Sequence, residues 1–316
     1  MNEPCLIGID WGTSSLRAYL LGPGGLLLDS RSQPWGIQHT PDRDFARAYR
    51  LLLEDWLARW PGLPAIASGM IGSRQGWREV PYVDCPADAS ALAGGLVSIE
   101  TGAGALHLIP GVRQVGEHPN VLRGEETQVV GALALDPALE KQALLLLPGT
   151  HSKWVQVCDG SLHTFSTYMT GELFAVLREH SILGRPALEA GPVASAEAYR
   201  RGIQTARDSG PSGIADRLFS VRSLVLCGEL PAAHSLDYLS GLLIGEELRS
   251  ALCGFASSPV PTPVLLGEPA LCERYREALA LFGLDRVRSL DNPGVAGLWQ
   301  VALAAGLIGK EEMQRA

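Results

Sequence analysis

CLIGIDWGTSSLRAYLL, residues 5–21, is an apolar run ending on an acid, then a Gly-Thr-Ser-Ser turn, then a second apolar run. Short runs rich in Ile, Leu and aromatics that are closed by turn residues are strands, and two of them about a tight turn form a hairpin. PGG at 23–25 makes the next turn and LLLDSRSQ at 26–33 a third strand, so the N-terminus is an antiparallel β-meander. The same outline returns later. ALLLLPG (143–149) is an apolar strand buried on both faces. THSKWVQVCDG (150–160) follows as a strand that turns at Asp159-Gly160, and GSLHTFSTYMT (160–170) is a third. Two meanders of one outline imply two related domains, expected at 1–137 and 138–316 and joined through the helix after RGEETQ. Each is expected to hold a mixed sheet led by its meander with flanking helices, an α/β architecture.

Between and after the meanders the pattern becomes helical. Phe45, Ala48, Tyr49, Leu52, Leu53, Trp56 and Leu57 recur at helical spacing within residues 43–60, and Pro61-Gly62 stops that helix. PAIASGMIG (64–72) is a strand running into a Gly-rich loop, and HLIPGV (107–112) is a further strand after a mixed region. Helices are expected at 170–183, at 195–208 behind an N-cap at Ser195, at 236–255, at 271–283 and at 294–309, the last packing back on the first domain. SLVLCGEL (223–230) and PVLLGEP (263–269) read as strands, and SSPVPTP (257–263) as a proline-rich connector.

The 316 residues exceed one ordinary core and suit two domains. A composition of 46% hydrophobic and 19% charged residues is that of a globular chain. The formal net charge of −8 argues against nucleic acid as a partner, because phosphate backbones call for a basic face. The start MNEPCLIGID is not a signal peptide, and no apolar run reaches the roughly 18 residues of a membrane span. Cys5, Cys85, Cys158, Cys227, Cys253 and Cys272 form no CxxC pair and read as scattered small core residues of a reducing compartment. A cytoplasmic protein is expected.

Five segments carry chemistry. In Asp10-Trp11-Gly12-Thr13-Ser14, the turn offers backbone N–H groups and hydroxyls to an anion, while Asp10 can orient Mg²⁺ against phosphate oxygens. Gly149, Thr150, His151, Ser152 and Lys153 form a second such turn after the second buried strand, able to grip the other side of a polyphosphate. Gly267, between a strand and a helix, can lay backbone along a flat base. In Arg123-Gly124-Glu125-Glu126-Thr127-Gln128, at a helix start, an acid either serves the helix dipole or accepts a proton from a substrate hydroxyl. Glu126 is preferred to Glu125 because it lies deeper in the helix. Gly69, Met70, Gly72, Ser73, Arg74 and Trp77 form a polar Gly-rich loop suited to a polyhydroxy acid, with the Trp face on carbon-bound hydrogens and Arg74 or Arg123 on the carboxylate. Neither a G-x-x-x-x-G-K-[ST] loop nor a G-x-G-x-x-G after the first strand is present, so any ATP must be held by another phosphate device.

In this order, IGIDWGTSSLRAYL, ASGMIGSRQGW, PYVDCPA, HLIPGV, NVLRGEETQVVGAL, LPGTHSKWVQV, MTGELFAVLREHSILG and LSGLLIGEEL resemble the 2-dehydro-3-deoxygalactonokinase family. The resemblance spans nearly the whole chain, with RGEETQ, PGTH-x-KW and MTGEL as its most specific parts. It implies the two-domain actin-like ATPase (ribonuclease H-like) fold of the actin/hexokinase/Hsp70 superfamily. It also implies transfer of the ATP γ-phosphate to the 6-hydroxyl of 2-dehydro-3-deoxy-D-galactonate, with Mg²⁺, in galactonate breakdown. The alternatives are a kinase of another 2-keto-3-deoxy acid such as the gluconate epimer, and an ATP-binding module that signals without phosphorylating a small molecule. A sugar-binding regulator is disfavoured, since no helix-turn-helix segment or basic arm is evident.

Overall fold

The computed structural model describes residues 3–255 and 261–309. Residues 257–260 of the expected proline-rich connector lie outside the described residues. The chain divides into two compact units. The first holds the chain to Ala143 with Gln156–Phe165 and the segment from Leu290 on, and the second holds Leu144–Val155 and Ser166–Ser289.

In the first unit β1 (Leu6–Trp11), β2 (Leu16–Leu21) and β3 (Leu27–Gln33) form the expected meander, antiparallel throughout. Helix α1 (Phe45–Arg59) starts at Asp44, whose carboxylate accepts from the Arg47 N–H at 2.9 Å. Its buried residues Ala48, Tyr49, Leu52, Leu53 and Trp56 form the single apolar stripe that their spacing predicts. Then come β4 (Ala65–Ser68), β5 (Val83–Asp84), α2 (Ala89–Gly94), β6 (Val97–Glu100), β7 (Ala105–Leu108), β8 (Val112–Gln114), β9 (Asn120–Leu122) and α3 (Glu125–Leu135). The main sheet has the order β3-β2-β1-β4-β7-β6, with β1, β4 and β7 parallel. Strand β4 is buried along its whole length and β1 along all but Asp10, as central strands covered on both faces must be. Edge strand β3 is polar and open to solvent, which discourages further strand pairing.

The second sheet runs β12-β11-β10-β13-β14, made of β10 (Gln142–Leu147), β11 (Ser152–Cys158), β12 (Ser161–Tyr168), β13 (Val264–Leu266) and β14 (Arg288–Leu290). Asp159 and Gly160, both at positive φ, make the two-residue turn between β11 and β12. As in the first sheet, a three-strand meander is followed by a parallel partner of its first strand, here β13 beside β10. The helices of this half are α4 (Thr170–His180), α5 (Arg185–Ala190), α6 (Ala196–Arg207), α7 (Ser220–Leu226), α8 (Ser235–Cys253) and α9 (Pro269–Leu281). The last helix, α10 (Pro293–Ala304), belongs to the first unit and packs on α3.

Two expectations are corrected. Residues 223–230 do not form a strand: Ser220–Leu226 is α7. Val221, Leu224 and Val225 recur at helical spacing and pack with Leu230 on Leu239, Leu242 and Leu243. Nor are the cysteines a core set, for Cys158, Cys227 and Cys253 are exposed and only Cys272 is buried. Among the described residues, no helix is long and apolar enough to cross a membrane.

Candidate active site

The polar cluster of the first unit gathers where β1 and β4 end. Their parallel register sets Asp10 beside Ser68. The Gly-Thr turn is braced from behind. The Gly12 N–H donates to the Ser15 carbonyl at 2.9 Å, Ile37 N–H to the Gly12 carbonyl at 3.0 Å, and the Trp11 indole to the Trp35 carbonyl at 2.8 Å. Gly36 packs so closely on the turn that a Cβ there would lie 2.2 Å from the Thr13 oxygen. Thr13 and Ser14 stay exposed. Gly69 leaves β4 at φ 98°, where a Cβ would clash at 2.7 Å with the Trp11 carbonyl oxygen and lie 3.5 Å from Asp10 Oδ1, so only glycine fits this crossing. The backbone of Gly69 in turn lies against Gly124 at the start of α3. Asp10, Ser68-Gly69 and Gly124-Glu125-Glu126 therefore converge.

The two adjacent acids differ sharply. Glu126 is 1% exposed. Its carboxylate accepts from the Gly124 N–H at 2.6 Å, the Ser68 hydroxyl at 3.2 Å and the Thr127 hydroxyl at 3.1 Å. Burial first, and then the charge of Glu125, pushes it up to about 7, against the pull of its hydrogen bonds. Glu125 is half-buried and accepts from the Arg123 N–H at 3.0 Å. Asp10 is raised above the ordinary carboxylate range by desolvation; Arg17, 3.8 Å away, opposes this and Glu125 adds to it. Because 41% of the Asp10 side chain faces solvent, water screens that effect. The charge of Glu125 thus reaches Asp10, and both side chains remain partly open to solvent. No group of three His, Cys, Asp or Glu suited to a metal occurs among the described residues. Asp10, a partly open carboxylate at the end of β1, is the kind of oxygen donor that Mg²⁺ takes.

Arg123 lies across the Tyr82 ring, its guanidinium carbon 4.4 Å from the centroid, and donates through Nη2 to the Val80 carbonyl at 2.8 Å. Its Nε and Nη1 are buried without a hydrogen-bond partner, as is Ser73 Oγ. Gly72 packs directly on this edge, where a Cβ would come within 2.8 Å of Nη1. Arg74 is exposed. Met70 and Trp77 pack on the first core, Trp77 edge-on to Trp11 and Tyr49 at ring separations of 6.4 and 6.0 Å. The Trp77 ring is partly buried by these contacts.

In the second unit, Pro148, Gly149 and Thr150 form one end of a cavity of about 700 Å³. Thr170, Asp237, Ser240, Arg274 and Tyr275 lie along its walls, and Glu268, next to Gly267, borders it. The start of α4 presses on the Gly-Thr turn. A Cβ at Gly171 would lie 2.5 Å from the Gly149 oxygen, and the Glu172 N–H donates to the Thr150 carbonyl at 3.0 Å. His151 pairs with Glu172. Lys153 is buried, and its ammonium donates to the His151 carbonyl at 2.8 Å, which holds the turn from inside. Ser152 is fully buried beneath the turn. Sequence reasoning did not single out Gly36, Thr170, Gly171 or Tyr275 as site residues, although MTGEL, which contains two of them, was among its most specific motifs.

Residues 10–301 match the family model of the 2-keto-3-deoxy-galactonokinases. A 2-dehydro-3-deoxygalactonokinase of Escherichia coli (strain K12) is 36% identical over 282 residues, covering 88% of this chain and 90% of the relative. A Rhizobium meliloti (strain 1021) relative whose name assigns it to the same kinases is 38% identical over 287 residues, covering 90% and 91%. A crystal structure from Sinorhizobium meliloti, named for the same kinase, superposes with a TM-score of 0.86 at 36% identity over 95% of this chain and 98% of that one. The Clostridium difficile activator of 2-hydroxyisocaproyl-CoA dehydratase, solved with bound ADPNP, shares the fold alone, with a TM-score of 0.50 at 14% identity over 95% and 96% of the two chains. The chain belongs to the 2-keto-3-deoxy-galactonokinase family.

Proposed function

We propose that this chain transfers the γ-phosphoryl group of ATP to the 6-hydroxyl of 2-dehydro-3-deoxy-D-galactonate, releasing ADP, in the cytoplasmic breakdown of galactonate. The observation that carries this reading is the convergence of an open carboxylate pair, Asp10 and Glu125, with the braced Gly12–Ser14 turn at the end of β1. The two units correspond to the two lobes of the fold. The sugar acid binds to the first, and the nucleotide lies in the 700 Å³ cavity of the second, against Gly149–Thr150 and Glu268, next to Gly267.

Phosphoryl transfer asks a protein for in-line positioning and charge neutralisation. Asp10 would hold Mg²⁺, which when bound would supply charge neutralisation at the phosphate oxygens. Glu125 accepts the proton of the 6-hydroxyl as its oxygen attacks the γ-phosphorus and the bond to the bridging oxygen of ADP breaks. Glu125 is preferred over Glu126 because a base must reach its substrate, and Glu126 is sealed by three hydrogen bonds. Arg123 is preferred over Arg74 for the substrate carboxylate, since its guanidinium keeps N–H groups without a hydrogen-bond partner inside the first unit, whereas Arg74 is exposed. The test is ADP release across a panel of 2-keto-3-deoxy sugar acids. The galactonate-derived acid should give the highest kcat/KM, a higher value for the gluconate epimer would reassign the substrate, and no ADP with any of them would remove the kinase reading.

A further inference from the structure

In the second unit a carboxylate is buried behind the proposed nucleotide cavity. Glu247, on α8, is 2% exposed and takes four hydrogen bonds from three separate segments. Oε1 accepts from the Ser152 hydroxyl at 2.6 Å and the Trp154 indole at 2.8 Å. Oε2 accepts from the Thr170 hydroxyl at 2.5 Å and the Tyr275 hydroxyl at 2.6 Å. Ser152 lies just beyond the second Gly-Thr turn, Thr170 opens α4 and Tyr275 sits in α9. Thr170 and Tyr275 line the cavity together with Gly149 and Thr150. An indole N–H can only donate, so Oε1 has no alternative role to acceptor. Burial raises the pKa of Glu247 while the four bonds oppose it, which is how a desolvated carboxylate is retained.

We infer that Glu247 is a positioning residue for nucleotide binding: its one carboxylate sets the second Gly-Thr turn, the head of α4 and α9 at fixed spacing around the cavity. The inference rests on the proposed kinase function. Gln at 247 keeps the shape but replaces one acceptor by a donor. The Thr170 and Tyr275 hydroxyls must then turn to accept from the amide, and two short O–H···O bonds of 2.5 and 2.6 Å give way to longer N–H···O bonds, which loosens the spacing they hold. Misplacement by about 1 Å can cost on the order of 10²-fold in a positioned site.

The experiment is calorimetric titration of ADP into wild type, E247Q, T170V and Y275F, with unfolding midpoints and both Michaelis constants measured in parallel. Expected are a rise in the ADP Kd by about 10- to 100-fold in E247Q and smaller rises in T170V and Y275F. The KM for ATP should follow, while the KM for the sugar acid stays at the wild-type value. A lowered midpoint with ADP affinity within twofold of wild type would make Glu247 merely structural and overturn the inference. If E247Q does not fold, T170V and Y275F decide by the same criterion. A wild type that binds no ADP overturns the kinase reading and this inference together, whereas wild-type binding with unaffected variants overturns this inference alone.

Discussion

Replacing Glu126 by Gln tests the division of labour between the two adjacent acids. Burial lifts the Glu126 carboxyl to about 7 from 4.5, so across that window the folded state holds a proton that the unfolded chain has released. The group's contribution to stability is therefore full below pH 4.5 and falls as pH rises toward 7. A shift of about 2.5 units corresponds to roughly 3 kcal/mol, undiscounted for solvent because the side chain is 1% exposed. Gln imitates the neutral form: its oxygen can accept from the Gly124 N–H while its amide faces the Ser68 and Thr127 hydroxyls, which can turn to accept. E126Q should equal wild type near pH 4.5 and exceed it by as much as about 3 kcal/mol at pH 8. Urea unfolding of both proteins between pH 4.5 and 8.5 reads the difference, and kinetics at pH 8 complete the assay. E126Q should keep kcat within a fewfold, whereas E125Q should lose about 10²- to 10⁴-fold with ATP binding intact. A constant destabilisation of E126Q at every pH would refute the account of Glu126 as a desolvated acid. Loss of kcat in E126Q with normal turnover in E125Q would return the role of base to Glu126.

Three further outcomes follow from the same geometry. D10N should fold normally and lose turnover by on the order of 10²-fold, a few kcal/mol of charge stabilisation, with the defect dependent on Mg²⁺ concentration; full activity would reduce Asp10 to a turn former. R123K keeps the charge but not the fork, so the KM for the sugar acid should rise about tenfold or more with kcat little changed, and an unaltered KM would remove Arg123 from the carboxylate site. G171A places a Cβ 2.5 Å from the Gly149 oxygen and must displace the second Gly-Thr turn, so the KM for ATP should rise while that for the sugar acid holds; equal effects on both would point to general unfolding.

The fold was legible because its signals are local. Apolar strands closed by Gly-Thr turns need no partner to be recognised, and their repetition at β1 and β10 implied the doubled architecture. Residues 223–230 failed for a physical reason. A short apolar run reads as strand or helix until its neighbours are known, and here Val221, Leu224 and Val225 find α8. Site residues were legible by type and less so by role. Glu126 is preferred in the sequence for its depth in the helix, and in the structure it is enclosed by three hydrogen bonds. Trp77 carries the right face for a sugar, but Trp11 and Tyr49 partly bury the ring. Gly36 and Gly171 act only through what they allow to approach, a property that appears once the partner backbone is placed.

The two sheets share more than strand order. Each unit buries a glutamate that collects hydroxyls. Glu126 takes Ser68 and Thr127, and Glu247 takes Ser152, Thr170 and Tyr275. Burial raises both groups above the ordinary carboxylate range, so both contribute less to stability as pH rises past their unfolded values. Such a carboxylate is a poor source of stability, because desolvation offsets much of what its bonds contribute. What it does provide is geometry. Several donors that converge on one carboxylate hold their backbones at one spacing, and a turn that must present N–H groups to phosphate benefits more from fixed spacing than from depth of burial. Glu126 and Glu247 differ in what they brace. The first holds the end of β4 against α3, on the proposed sugar-acid side, and the second holds the Gly149–Ser152 turn against α4 and α9, on the nucleotide side. Substitution at one should therefore move the Michaelis constant of one substrate and leave the other in place.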